Sequence, residues 1–313
     1  MPNPSTPTDP GSVADAQRGN WVDTFAPDWL KPYARLARWD RLMPFWLLFW
    51  PCGASLALAA VADPARGFDW MAFVLMLAGS VLMRGAGCTF NDIVDRDIDM
   101  KVARTRLRPI PSGQVTTRNA ALFLVAQALA GLLVLVQFNL FTIALGIASL
   151  ALVAIYPFMK RVTWWPQFFL GLTFSWGALV GWSSQTGSLG IAPLLLYAGC
   201  IAWTIGYDTI YALQDIEDDA LIGVKSTARL FGDHVQPIVA CFYAAAVACW
   251  LAAGLVVGGG WVLAAGLTVV AVMLSWQVAT LDAKAPDNAV ARFRFNYWVG
   301  LALTAVLLAE LVI

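Results

Sequence analysis

Residues 70–113 read WMAFVLMLAGSVLMRGAGCTFNDIVDRDIDMKVARTRLRPIPSG, an apolar run that passes directly into a cluster of acids and then into a cluster of arginines. About 20 mainly apolar residues in a helix cross the ~30 Å hydrocarbon core of a bilayer. The stretch 70–90 therefore reads as a membrane span, and the acids stand at its end. Runs of the same kind recur on both sides of it. The expected spans are 43–62, 70–90, 119–138, 140–158, 166–184, 193–213, 237–256, 261–281 and 295–313. This predicts an all-α integral membrane protein of about nine transmembrane helices. Composition agrees, because a chain that is 59% apolar and 13% charged, with mean hydropathy +0.68, is too apolar for the surface of a soluble globule. The alternation that a transmembrane β-barrel needs is missing.

Formal charge sums to zero, yet Lys and Arg fall in alternate connections. Arg96, Lys101, Arg104, Arg106, Arg108 and Arg118 lie in one, Lys160 and Arg161 in another, Lys225 and Arg229 in a third, and Lys284, Arg292 and Arg294 in a fourth; the intervening connections hold only Arg66. By the positive-inside rule the N-terminus and the acidic cluster are expected in the cytoplasm, and the C-terminus, after an odd number of spans, outside. Residues 1–40 read as a polar tail ending in an interfacial helix around 28–41, with Trp29, Tyr33 and Trp39 at the headgroups, and 41–313 as one transmembrane domain. The first forty residues lack a basic start and a short apolar core, and Asp9, Asp15 and Asp23 argue against a mitochondrial presequence, so a bacterial inner membrane is expected.

Cys52, Cys88, Cys200, Cys241 and Cys249 lie in apolar runs without metal-ligand spacing and read as small packing residues. His234 is the single histidine and stands in a polar loop, which excludes a histidine metal site and a Ser-His-Asp triad. Nothing indicates nucleic-acid binding, and no protein partner can be read.

Asn91, Asp95 and Asp99 are four apart and line up on one helical face, with Asp92 beside them. Like charges so placed repel, by a few tenths of a kcal/mol per pair on an isolated helix. A cation is the expected compensating partner, and oxygen-only ligands point to Mg²⁺. A second run, IGYDTIYALQDIEDDALIGVKSTARLFGD at residues 205–233, repeats the spacing with Tyr211, Asp215 and Asp219, and adds Asp208 and Asp218. NDIVD against QDIED suggests two related halves. Arg104, Arg106 and Arg108, Tyr156 with Lys160, and Lys225 offer cations and a hydroxyl for a phosphate group. Arg84 lies inside the second span on the face of the acidic run, where an arginine needs a partner such as Asp208 or a substrate anion.

With NDIVDRDID at 91–99, RPIPSG at 108–113, YPFMKR at 156–161, and YDTIYALQDIEDD with GVKSTA at 207–228, the chain resembles the UbiA superfamily of intramembrane prenyltransferases, most closely the 4-hydroxybenzoate polyprenyltransferases of ubiquinone biosynthesis. The resemblance runs from about residue 33 to the end. It implies nine spans around a central cavity, capped by two acidic loops. It also implies that Mg²⁺ held by Asn91, Asp95, Asp99, Asp215 and Asp219 binds the diphosphate of a polyprenyl donor, helped by Lys160, Lys225 and Arg108, and that 4-hydroxybenzoate attacks the allylic cation through the carbon ortho to its hydroxyl. Arg41 or Arg84 would hold the acceptor carboxylate, and Asp208 would assist proton removal or pair with Arg84. Rival readings are the same fold with another acceptor, such as homogentisate, a naphthoate, haem or a chlorophyllide, and an ion-coupled transporter, which is disfavoured because its binding groups are expected near the bilayer midplane.

Overall fold

A computed structural model describes residues 19–41, 43–100 and 105–312, with the side chains of Asp218, Asp219 and Ile222 outside that description. The tail before residue 19, Lys101 and Arg104 also lie outside it. The described chain is helical throughout, without a strand: α1 Trp21–Phe25, α2 Lys31–Leu36, α3 Met43–Ala62, α4 Trp70–Asp99, α5 Thr117–Leu135, α6 Leu140–Val162, α7 Pro166–Phe174, α8 Gly177–Thr186, α9 Ile191–Ala212, α10 Ile216–Ile222, α11 Thr227–Phe231, α12 Val235–Val256, α13 Trp261–Ala279 and α14 Pro286–Glu310. Seven of these, α3, α4, α5, α6, α9, α12 and α13, are long and apolar enough to cross a membrane. Large apolar side chains left exposed along α5, such as Leu122, Val125, Leu129 and Leu133, suit a lipid solvent and would be a liability in water.

The two other expected spans differ in kind. Residues 166–184 form α7 and α8 with a break at Ser175 and Trp176, where the amide of Ser175 still donates to Gly171 O at 3.0 Å. Such a break survives in lipid only when its peptide groups find partners. The last span begins earlier than expected, at Pro286, and its polar first turns carry Arg292 and Arg294. The Arg292 guanidinium lies 4.2 Å from the Trp276 ring centroid.

The chain divides into two compact units, Met1–Phe45 with Ala78–Val134, and Trp46–Leu77 with Leu135–Ile313. In the first, Asn20 caps α1 by accepting the Asp23 amide, and Arg35 ties α2 to α1 through Asp23 at 2.8 Å. Lys31, 2.8 Å from Asp28, holds that exposed carboxyl below its ordinary range through a hydrogen bond. Tyr33 and Trp39 set their rings edge-on against Phe123 of α5. The exposed aromatics of this segment are Trp21, Phe25 and Trp29. Inside the spans, the Thr89 hydroxyl of α4 donates to Gly85 O at 2.9 Å and stands 3.2 Å from Gln127 Oε1 of α5, whose Nε2 is buried without a hydrogen-bond partner.

In the second unit every residue of α3 from Phe49 to Val61 is buried. α8 meets it through Gly177 and Gly181, four apart, in the small-residue pattern that lets membrane helices approach closely. A Cβ at Gly181 would stand 2.7 Å from Cys52 O and 2.8 Å from Ser55 Cβ, and the Ser55 hydroxyl donates to Ala178 O across the same contact. Because the nearest atom is backbone, Gly181→Ala is expected to destabilise the protein by about 1–3 kcal/mol, an overpacking penalty. Unfolding of the purified protein in detergent measures this; an unchanged midpoint would mean that α8 can shift away freely. Elsewhere α9, α12, α13 and α14 are joined by a buried polar chain. Trp203 donates to Asn296 at 2.7 Å, Asn296 to Gln277 at 3.4 Å, and Tyr243 to Gln277. Glu310, at the end of α14, accepts from the amides of Gly260 and Leu263 and so caps α13, where a negative charge suits the helix dipole.

Of the cysteines, Cys52, Cys88 and Cys200 are buried as expected for packing residues, whereas Cys241 is exposed; all five are free thiols. His234 is exposed in the short turn before α12.

Candidate functional site

At 1.5 Å per residue, the stretch from Trp70 to Phe90 already covers about 30 Å, so the acidic end of α4 exceeds the length that a span requires. Expectation had Asn91, Asp95 and Asp99 on one face with Asp92 at its side. The structure buries Asp92, Asp95 and Asp99, spaced three and four apart, and leaves Asn91 half-buried and Asp97 exposed. Three buried carboxylates at a helix C-terminus face the negative end of its dipole and one another. Two arginines answer them. Arg38 Nη2 lies 2.8 Å from Asp92 Oδ1; Arg108 Nη1 lies 3.2 Å from the same oxygen and 2.8 Å from Asp99 Oδ2. Thr105 closes the helix end by donating to the Asp99 carbonyl at 3.0 Å.

In sequence, Arg38 stands with Lys31, Arg35 and Arg41 in the basic segment ahead of the first span, and nothing there singles it out. Its side chain is 9% exposed, it stands at φ +60, alone among the described non-glycine residues, and Nη1 donates to Arg35 O at 2.9 Å. Arg41, expected as an anchor for the acceptor, lies 3.1 Å from Asp40 Oδ2. Arg84, about 21 Å along α4, donates to Cys88 Sγ at 2.8 Å, one turn nearer the acids.

The donor chemistry of this face fits a hard divalent cation. Its ligating atoms are oxygens, three carboxylates, Asp92, Asp95 and Asp99, are buried along it, and Asp92 Oδ2 is buried without a hydrogen-bond partner. Among the described residues no three His, Cys, Asp or Glu side chains already converge on one point.

The second acidic run belongs to the other unit. α9 carries Asp208 and Tyr211, both half-buried, and then tightens into a 3-10 turn at Leu213–Asp215 before α10. The expected single α-helical face through Tyr211, Asp215 and Asp219 is thus interrupted, because the tighter turn changes the angle per residue. Asp215 is half-buried, and the Asp219 side chain lies outside the described part. The Tyr211 ring packs 4.4 Å from Phe293. Past the run, Gly223 at φ +75 turns the chain into VKST, and this loop returns to the end of α6. There the Lys225 amide donates to Lys160 O at 3.0 Å, and Lys225 Nζ to Val162 O at 3.1 Å. The two lysines singled out from the sequence are brought together, with Tyr156 one turn back on α6. What sequence reasoning missed is the scaffold beneath them, Gln167, Thr209 and Thr227, uncharged residues without a distinctive spacing.

A family model described as the UbiA prenyltransferase family matches residues 48–300. The chain is 49% identical over 273 residues to "4-hydroxybenzoate polyprenyltransferase, mitochondrial" of Aedes aegypti, covering 87% of this chain and 62% of that protein. It is 45% identical over 285 residues to the Arabidopsis thaliana protein of the same name, covering 91% of this chain and 70% of that one. Among solved structures, the apo structure of a UbiA homolog from Aeropyrum pernix K1 superposes with TM-score 0.69 at 26% identity, over 84% of this chain and 97% of that one. A UbiA homolog from Archaeoglobus fulgidus bound to GPP and Mg²⁺ shares the fold at TM-score 0.62 and 17% identity, over 90% of this chain and 100% of that one.

These relatives also correct the expected compartment. A bacterial inner membrane is expected from the composition of the first forty residues, and a cytoplasmic acidic face with a periplasmic C-terminus from the distribution of Lys and Arg; the insect and plant relatives are named as mitochondrial. A polar N-terminal stretch is a poor guide here, because apolar runs drive insertion whichever bilayer they enter. What stands is a multi-pass membrane protein.

Proposed function

The chain belongs to the UbiA prenyltransferase family, and from that premise we propose that it transfers a polyprenyl group from a polyprenyl diphosphate to the ring carbon ortho to the hydroxyl of 4-hydroxybenzoate, releasing diphosphate. The observation that carries this is near-half identity, along about nine-tenths of the chain, to proteins named for that reaction. The same names favour 4-hydroxybenzoate over another acceptor, and the family disfavours a transporter.

Mg²⁺ is the proposed cation, held by Asn91, Asp95, Asp99, Asp215 and Asp219. Oxygen-only donors favour it, and a protein of this fold has been solved with GPP and Mg²⁺. When bound, it supplies positive charge against the diphosphate that departs from the donor. Asp92 is already engaged by two guanidiniums and keeps only Oδ2 for a cation. Lys160, Lys225, Arg108 and Tyr156 add charge and hydrogen bonds to the same diphosphate and favour the charge that builds as the allylic C–O bond breaks. The ring attacks the cation so released, and its displaced proton passes to a carboxylate, for which Asp208 is proposed. Arg84 or Arg41 pairs with the acceptor carboxylate. Surrounding spans exclude water, which would otherwise capture the cation. Residues 1–40 are proposed to end along the membrane surface, with Trp21, Phe25 and Trp29 at the headgroups, ahead of one transmembrane domain over 41–313.

The test is product formation, followed by mass spectrometry, from purified protein in lipid with polyprenyl diphosphate, Mg²⁺ and 4-hydroxybenzoate. Prenylated acid is expected, with one diphosphate released per product. Turnover of a different acceptor alone would reassign the acceptor, and ion flux without diphosphate release would overturn the enzyme reading.

A further inference from the structure

We infer that Gln167 is a positioning residue that acts through Thr227 to hold Lys225 beside Lys160, so that the two lysines form one cradle for the donor's diphosphate. The inference rests on the proposed reading of these lysines as diphosphate ligands.

Lys160 stands at the end of α6 and Lys225 in a loop more than sixty residues later. Both residues are only half-buried, and a backbone contact joins two residues of like charge, which favours their separation when no anion is present. Something must hold the loop against that repulsion. The backbone bond from Lys225 to Lys160 is one tether, between two half-buried residues. The buried tether is two residues on, where the Thr227 amide donates to Gln167 Oε1 at 3.0 Å. Gln167 is 4% exposed and Thr227 is fully buried. The Thr227 hydroxyl is anchored as well. Thr209 of α9 donates its single hydroxyl proton to Ile205 O at 2.6 Å, so in the 2.6 Å pair with Thr227 it is Thr209 that accepts. Amide and hydroxyl of one residue are thereby fixed to α7 and α9. Ser226, between Thr227 and Lys225, caps α11 by accepting the Arg229 amide. This leaves Lys225 little freedom except in its own side chain, whose ammonium rests on the Val162 carbonyl at 3.1 Å. A diphosphate oxygen is a stronger partner than a carbonyl, because the bond to it is charge-assisted at both ends. The carbonyl thus serves as the resting partner of an ammonium already in place.

The experiment is calorimetric binding of inorganic diphosphate with Mg²⁺ to the full chain in nanodiscs, for wild type, Gln167→Met, Lys225→Ala and the double variant. Gln167→Met keeps the length of the side chain and removes the acceptor. It is expected to weaken diphosphate binding about tenfold, and to cause no further loss once Lys225 is alanine. Thr209→Val, which removes the hydroxyl that Thr227 donates to, is expected to behave likewise and serves if Gln167→Met does not fold. In turnover assays the KM for the prenyl diphosphate should rise while kcat changes less than about threefold, as for loss of binding common to ground and transition state. Wild-type affinity in Gln167→Met, or an equal loss in the Lys225→Ala background, would overturn the inference while leaving the lysines as ligands. Wild-type affinity in Lys225→Ala would instead overturn the reading of the lysine.

Discussion

Asp95→Asn and Asp215→Asn are each expected to lower prenyl transfer by at least about a hundredfold, and removal of divalent cations with a chelator to abolish it. Asparagine keeps the shape of the carboxylate, which matters at Asp95 because that side chain is wholly buried on α4. It removes the negative charge that a hard cation requires. Asp97 supplies the control. It lies in the same run but points outward, beside Arg96 at 3.1 Å in an exposed pair, and Asp97→Asn should stay within about twofold of wild type, as befits a surface pair of little energetic weight. Diphosphate release measured across a Mg²⁺ titration distinguishes lost cation affinity from lost chemistry, since only the former is partly recovered at high Mg²⁺. Full activity in Asp95→Asn or in Asp215→Asn would remove that acidic run from the site.

The second large effect concerns stability. Arg38→Leu should destabilise the protein by about 3–5 kcal/mol, because it leaves the Asp92 carboxylate buried and one counter-charge short. Removing both charges is a different experiment. In Arg38→Leu/Asp92→Leu most of the loss should return, since replacing a buried ion pair by apolar groups is often neutral or favourable. Arg108 would keep Asp99 in that variant. A double-mutant cycle on unfolding free energies in detergent reads the coupling directly. Additive losses would show that Arg38 and Asp92 act separately and that the 2.8 Å contact contributes little.

The spans were legible because bilayer thickness sets a length that few other constraints mimic, and each expected run of 18 or more apolar residues has a helical counterpart. Their ends were harder to read. α4 continues past residue 90 to Asp99 because its pattern changes there from apolar to amphipathic, and hydropathy alone loses the helix at that point. The break between α7 and α8 falls in an evenly apolar segment, and what sets the geometry there is contact of Gly177 and Gly181 with α3, a tertiary fact. At the site, the acids and lysines stood out by type and spacing. Helical spacing also grouped Asp92, Asp95 and Asp99 and left Asp97 off their face, but that two guanidiniums would claim Asp92 did not stand out. Nor did the choice of arginine. Arg38 and Arg41 are three residues apart in one basic segment, and only the fold gives one to Asp92 and the other to Asp40.

The left-handed backbone at Arg38 places two demands on one position that no amino acid meets together. At φ +60 the main chain prefers glycine, and an L-residue with a side chain is held there at a cost of about 1–3 kcal/mol. The charge on Asp92 calls for a guanidinium, and the position keeps arginine. Glycine and alanine at this site therefore report on different things. Both lose the ion pair, but glycine also relaxes the turn, so Arg38→Gly should be more stable than Arg38→Ala by about 1 kcal/mol, the reverse of their order in an ordinary helix.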